Sequence, residues 1–312
     1  MNKSNYFFGQ SVFGQLISLL DLNKIKTLGR KYLSDRYIKK FDTSDHLISM
    51  LFSTFAHCTS LREVASSMLG LKGKMSHFQL KHIPYRSTLS DANKRRSHLV
   101  FQDVYYSLLK EYHPIISDSR QTYAWENRLE IIDSSTISLF KDILSCVGRK
   151  PNTGKRKGGI KVHTQINLQD RVPKLIWFSA ATTHDKQFLK HVELEKGRIA
   201  VFDKGYNDYK TFDEFNESGI FFVTRLKSNA SYESVKENDI PSYIDDGVLK
   251  DEIIRIDVKE NGAYLKTIEL RKVAYWDNEN KRCFEFITNL HGMNAGHIAL
   301  IYKKRWQIEL LF

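Results

Sequence analysis

"RLEIIDSST", residues 128–136, and "RIAVFDKGY", residues 198–206, decide how this chain reads. Each is a short β-branched or aromatic run of the kind that fills a buried strand. Asp133 directly follows "LEII" and Asp203 directly follows "IAVF". Both are therefore expected at the carboxyl ends of strands, where open α/β sheets bind their ligands. A single aspartate at such a place is as a rule an N-cap or a turn residue. The pair says more, because "DSST" and "DKGY" continue with small or turn-forming residues that leave both carboxylates open. Hard oxygen donors suit magnesium, whose octahedron is completed by water and substrate phosphate. Two such ions about 4 Å apart can drive an in-line phosphoryl transfer.

Outward from these runs the pattern alternates. "GIKVHTQINLQ" and "VPKLIWFSA" read as further strands, while "THDKQFLKHVEL" and "DYKTFDEFNESG" are helix-like. Three strands before a helix and a fourth strand predict an α/β fold whose mixed sheet starts as an antiparallel meander. After "GIFFVTRLK" a β-rich insertion is expected at about residues 228–292, and helix returns near Asn294 and runs to the end of the chain. Residues 10–115 carry apolar residues at three and four spacing, so an all-helical block precedes the sheet. Thr43 or Ser44 is expected to cap one of its helices, Ser60 with Glu63 forms a capping box, and Ser90 with Asp91 is expected to start another. The resulting division is a helical domain over 1–118 and an α/β domain over 119–312.

Charge points to the partner. The net charge is +12, and it sits in two blocks. Residues 1–120 hold 18 Lys and Arg against 9 Asp and Glu, and residues 141–174 hold 9 against 2. Basic blocks of this kind are the footprint of a protein that neutralises a phosphate backbone. In the first block "ANKRRS" directs Lys94, Arg95 and Arg96 toward phosphates, in the manner of a helix-turn-helix. In the second, "KRKGGIKVH" places Lys155, Arg156 and Lys157 ahead of a Gly158-Gly159 turn that lets backbone approach a phosphate, with Lys161 and His163 on the strand behind. His184 in "TTHD" is read as a helix-start residue. Cys58, Cys146 and Cys283 are odd in number and far apart, which excludes a disulfide framework and a paired-cysteine zinc site and leaves them as core or partly buried residues. Without a membrane-length apolar run or a signal peptide, the expected compartment is the cytoplasm.

The chain closes on "IYKKRWQIELLF", residues 301–312, in which Tyr302, Arg305 and Glu309 fall on one helical face. Together with Asp133 in "IIDSST" and Asp203-Lys204-Gly205-Tyr206, this resembles the DDE transposases of bacterial insertion sequences. In that family an RNase H-like core is interrupted by a β-rich insertion. A later helix carries Tyr, Arg, Glu and then Lys at fixed spacing. The resemblance covers about residues 110–312, and "KGGIKVH" is similar to a strand that lies beside the family's active site. It implies that Asp133, Asp203 and Glu309 hold catalytic metal, Mg²⁺ with Mn²⁺ as a substitute, and that Tyr302 and Arg305 contact the DNA end near the cut phosphate. It also implies double-stranded DNA as partner, both terminal inverted repeats and target, and a homodimer in the DNA complex. The family's Lys would fall beyond Phe312, so the chain is expected to be truncated within this helix. The activity implied is cleavage at transposon ends with strand transfer into target DNA. Two rivals remain open at this point: an inactive DNA-binding inhibitor of transposition, and an RNase H-like nuclease that only hydrolyses.

Overall fold

The computed structural model describes residues 11–116, 123–139, 148–149, 157–169, 171–240, 247–260 and 262–311. The chain divides into two compact units, Met1–Ile116 and Ser117–Phe312.

The first unit is helical throughout its described residues: α1 Val12–Ser18, α2 Leu22–Lys31, α3 Thr43–Phe55, α4 Leu61–Leu69, α5 Arg86–Arg95 and α6 His98–Ile116. The three and four spacing of the apolar residues brings Ile17, Ile48, Val64, Met68 and Leu89 into one core. Ser60 caps α4 as expected, accepting from Glu63 N at 3.2 Å. The cap of α3 is Asp42, one residue before Thr43, since its carboxylate reaches the Asp45 amide at 2.9 Å while Thr43 and Ser44 are buried inside the first turn. Ser90 and Asp91 start nothing. They lie within α5, where Asp91 pairs with Arg95 one turn on.

The second unit is a mixed sheet. Its strands are β1 Leu129–Leu139, β2 Gly148–Arg149, β3 Lys157–Asn167, β4 Pro173–Ala180, β5 Ile199–Phe202, β6 Phe221–Arg225, β7 Glu233–Glu237, β8 Val248–Glu260, β9 Ala263–Asp277 and β10 Arg282–Thr288. They run in the order β2-β3-β1-β5-β6-β10-β9-β8-β7, with β4 on β3. The meander is present, because β1, β3 and β4 pair antiparallel. Beyond it β1, β5 and β6 are parallel, and β10 returns antiparallel on β6. The β-rich stretch is thus continuous with the central sheet and prolongs its edge.

Among the described residues two α-helices complete this unit, α7 Tyr209–Ser218 and α8 Ala295–Lys304, and they cover opposite faces. Residues alternate between faces along each parallel strand, as strand geometry requires. Ile131, Val201 and Val223 pack with Ile298 and Ile301 of α8, whereas Ile132, Phe202 and Phe222 pack with Phe212 and Phe215 of α7. The helix-like stretch before β5 is a 3-10 helix over Asp185–His191, and α8 likewise tightens into 3-10 geometry over Arg305–Leu311. Among the described residues no helix is long and apolar enough to cross a membrane. Cys283 is exposed, against expectation, Cys58 is half-buried, and Cys146 lies outside the described residues.

Candidate active site

The parallel ladder fixes the geometry of the two aspartates. Ile132 stands opposite Phe202, the last pair in register between β1 and β5, so Asp133 and Asp203 are the next residue on each strand. Their predecessors Ile132 and Phe202 both face α7, so alternation turns both carboxylates to the face that α8 covers. Asp203 follows the last residue of β5, as its sequence suggests. Asp133 does not end its strand. β1 continues to Leu139 because it stays paired with β3 along its whole length, and only its parallel partner stops.

Three residues on or after α8, together with Arg225, close over these acids. Arg305 Nη1 donates to Asp133 Oδ2, and Arg305 Nη2 reaches Glu309 Oε1 at 3.3 Å. Tyr302 Oη donates to Asp203 Oδ1 at 3.1 Å, and Arg225 Nη2 donates to the same oxygen. The guanidiniums of Arg225 and Arg305 each lie 5.6 Å from the centre of the Tyr302 ring. Tyr302 and Arg305 are buried. Glu309 is not, with its side chain 57% exposed on the 3-10 segment. Nothing in the sequence alone singles out Arg225. Register would have found it, because Val201 pairs with Val223 on β6, which sets Arg225 beside Asp203.

The two aspartates sit in opposed electrostatic surroundings. Burial pushes the Asp133 carboxyl up, the Arg305 charge only partly offsets this, and the charges of Asp203 and Glu309 add to the rise. Burial acts the same way on Asp203, but the Arg225 hydrogen bond and charge outweigh it and hold that carboxyl below its usual range. Burial raises the Tyr302 phenol to about 12, so it stays a donor.

The "DKGY" turn is clamped from behind. Tyr206 is buried, and its hydroxyl lies 3.0 Å from His163 Nδ1, while His163 Nε2 lies 2.9 Å from Ser179 Oγ. The imidazole stacks on Phe188 at 5.1 Å, and burial depresses its pKa to about 4. His163 is therefore a neutral core residue and no DNA contact: the strand pattern that put it near the site also turned it inward. A Cβ at Gly205 would stand 2.9 Å from Asp185 Oδ2, the carboxylate that holds Lys161 Nζ at 2.6 Å. The glycine is what lets the turn approach this ion pair.

The remaining expected contacts divide as follows. Gly158 and Gly159 form no turn. They pair within β3, and a Cβ at Gly159 would lie 2.9 Å from Thr136 Cγ2, so this glycine serves close strand packing. Lys155 and Arg156 lie outside the described residues, as does the side chain of Lys157, the first residue of β3. Lys94 and Arg95 are exposed at the end of α5. Arg96 is 8% exposed and donates to the carbonyl oxygens of Phe41 and Ser34, so it ties the helical core together and is not free on the surface. His184 precedes its 3-10 helix without a side-chain cap.

Residues 125–312 match the family model described as a transposase DDE domain, which is more than half of the chain. The chain belongs to the DDE transposase family. Residues 8–81 match a second model, a domain of unknown function, DUF4372. The chain is 34% identical to "Putative transposase y4zB" of Sinorhizobium fredii over 73% of this chain and 61% of that protein. It is 26% identical to "Putative transposase for insertion sequence element IS4SA" of Synechocystis over 72% and 60%. A cryo-EM structure of a piggyBac transposase synaptic complex with hairpin DNA aligns at a TM-score of 0.42 and 9% identity, over 95% of this chain and 64% of that one. The chain spans about 60% of the length of the two curated relatives named here.

Membership of this family implies a divalent metal ion, and the donor set is of the right kind, since carboxylate oxygens are what a hard divalent cation takes. Asp133, Asp203 and Glu309 nevertheless do not close into one ligand set. Among the described residues no group of three His, Cys, Asp or Glu side chains stands close enough to hold an ion. Arg305 intervenes between Asp133 and Glu309, and Arg225 occupies Asp203. Both arginines leave Nε buried without a partner, a donor that suits a phosphate oxygen.

Proposed function

We propose that the chain is the DNA-binding and catalytic portion of a transposase that cuts the ends of an insertion sequence and joins the freed 3′-hydroxyl to target DNA. One observation carries the reading: Asp133 and Asp203 leave adjacent parallel strands at the same level and on the same face, beneath the helix that bears Tyr302, Arg305 and Glu309. Once Arg305 and Arg225 release them, Asp133 and Asp203, with Glu309, would be the residues to hold Mg²⁺, or Mn²⁺ in its place, and the ion would supply a lower barrier to attack by water or a 3′-hydroxyl and a stabilised leaving oxygen. Arg305 and Arg225 neutralise the two aspartates until DNA arrives. Their unpaired Nε atoms then turn to the cut phosphate, where fixed cations stabilise the charge that develops. Tyr302 holds Asp203 in orientation through its hydroxyl. The helical unit and the residues around Lys155, Arg156, Lys157 and Lys161 grip the backbone of terminal repeat and target duplexes, and two copies of the chain act on paired ends.

The test is incubation of the chain with labelled duplexes taken from the borders of its own genetic element, with and without Mg²⁺. Nicked ends bearing a 3′-hydroxyl, and their joining to a second duplex, are expected. Asp133→Asn and Asp203→Asn should each lower the rate by at least about 10²-fold. Cleavage without joining would favour a nuclease, and undiminished cleavage by either variant would remove that aspartate from the reaction.

A further inference from the structure

The helical unit contains an open cavity of about 370 Å³ between the turn that follows α2 and the end of α5. Its lining is basic: Arg36, Lys39, Lys40, Arg95 and Arg96 face it, together with Ser34. One carboxylate also lines it, Asp91, which pairs with Arg95, and a second stands nearby, Asp35, which pairs with Arg96 at 3.3 Å and accepts from Thr43 at 2.8 Å. Cations are therefore in clear excess.

Two of the lining residues are more than nine-tenths buried and carry an atom without a partner, Nη1 of Arg96 and Oγ of Ser34. Both atoms are closed to water and lie beneath the cavity wall, so the groups that face a ligand are the cations of the rim. The turn above them is held in an uncommon shape. Leu33 and Tyr37 both adopt left-handed backbone, with φ of 52° and 63°, though neither is glycine. Leu33 is left-handed because it closes α2, the Ser34 amide returning to the Gly29 carbonyl at 2.9 Å, whereas the shape at Tyr37 is not set by the helix end. Tyr37 is exposed, and its hydroxyl accepts from Arg36 Nη2 at 2.9 Å, which fixes that guanidinium at the rim.

We propose that this cavity seats one phosphodiester group of a DNA backbone. Arg36, Lys39, Lys40 and Arg95 surround it at the rim, and the buried guanidinium of Arg96 adds positive charge from below. A phosphate offers several strong acceptor oxygens and so can meet several rim cations together, which the two oxygens of a carboxylate would do less fully. The choice of DNA over free phosphate rests on the transposase reading above. The site differs from the helix-turn-helix arrangement expected from "ANKRRS": Arg96 is buried beneath it, and the turn after α2, which that motif ignores, supplies three of the five lining cations.

The experiment uses the whole chain and two probes, a labelled duplex of about 20 base pairs and inorganic phosphate. Amide exchange of residues 33–41 is followed with each, and duplex affinity is titrated from low to moderate salt. The duplex should slow exchange in this segment at far lower concentration than phosphate does. The double variant Lys39→Gln/Lys40→Gln should lower the slope of log affinity against log salt by about 1, the value for one lost phosphate contact. Duplex binding with unchanged exchange at 33–41 and an unchanged slope would overturn the site and leave the transposase reading standing. Protection by phosphate alone would overturn DNA as its occupant. Absent Mg²⁺-dependent cleavage with the cavity still protected by duplex would do the reverse, sinking the proposed reaction and keeping the site.

Discussion

Replacing Arg305 by methionine separates a structural ion pair from a metal site in waiting. Methionine keeps most of the buried stem, so the perturbation is mainly loss of the guanidinium. Arg305 holds two carboxylates of very different exposure: the Asp133 side chain is 16% exposed, and that of Glu309 is 57%. An exposed pair contributes at most about 0.5–1 kcal/mol, so the Glu309 contact is minor. Removing one partner of a buried pair strands the other charge and costs about 3–5 kcal/mol. Because Asp133 keeps the hydrogen bond from the Ser134 amide at 2.8 Å, the low end, about 3 kcal/mol, is expected. If Asp133 is a metal ligand, Mg²⁺ supplies the missing countercharge. The loss should then appear in full in EDTA and shrink in Mg²⁺, because the variant gains about 2.7 kcal/mol at a hundredfold above its own dissociation constant while the wild type, whose Arg305 competes with the ion for Asp133, gains less. Urea denaturation of the wild type, Arg305→Met and Glu309→Gln, each with EDTA and with Mg²⁺, measures this. Glu309→Gln should change stability by less than about 1 kcal/mol in EDTA. An equal loss for Arg305→Met in both conditions would refute the reasoning, since it would mean that Arg305 and the ion do not compete for Asp133.

Three further outcomes are expected. His163 and His46 are both buried with pKa values held near 4 against an ordinary 6.5. In that window the unfolded chain binds protons that the native chain refuses, so stability is full above about pH 6.5 and falls toward pH 4 by about 3 kcal/mol for each histidine. Denaturation across this range should show a shallower decline in His163→Gln than in the wild type, and an identical pH profile would exclude His163 as a contributor. Tyr206→Phe removes the hydroxyl that ties the "DKGY" turn to His163 while keeping the ring; it should cost about 1 kcal/mol in melting experiments and lower end cleavage without altering duplex affinity. Replacing Lys155, Arg156 and Lys157 together by alanine should reduce the salt slope of DNA binding by up to about 3, and an unchanged slope would place this block away from the backbone.

The sequence by itself determined the elements and the order in which they come. Apolar spacing marked the helical block, the alternation of "RLEIID" and "RIAVFD" with helix-like stretches marked the mixed sheet, and the Tyr302, Arg305 and Glu309 spacing pointed to the helix that closes the site. These are legible because period and turn chemistry are local properties of the chain. What a side chain faces is not local. Arg96 looks like its neighbours Lys94 and Arg95, yet only a residue beyond the helix end can fold back to Phe41 and Ser34. His163 reads as one more polar residue after a basic run, until β3 and β4 pair and Phe188 and Tyr206 pack around it. Arg225 carried no signal at all, because its nearness to Asp203 follows from the register of two strands whose residues lie 22 positions apart. The acids were readable as a pattern, while the arginines that hold them were decided by the parallel ladder and by the turn of α8 into 3-10 geometry at Arg305, which leaves Glu309 at the surface and Arg305 inside.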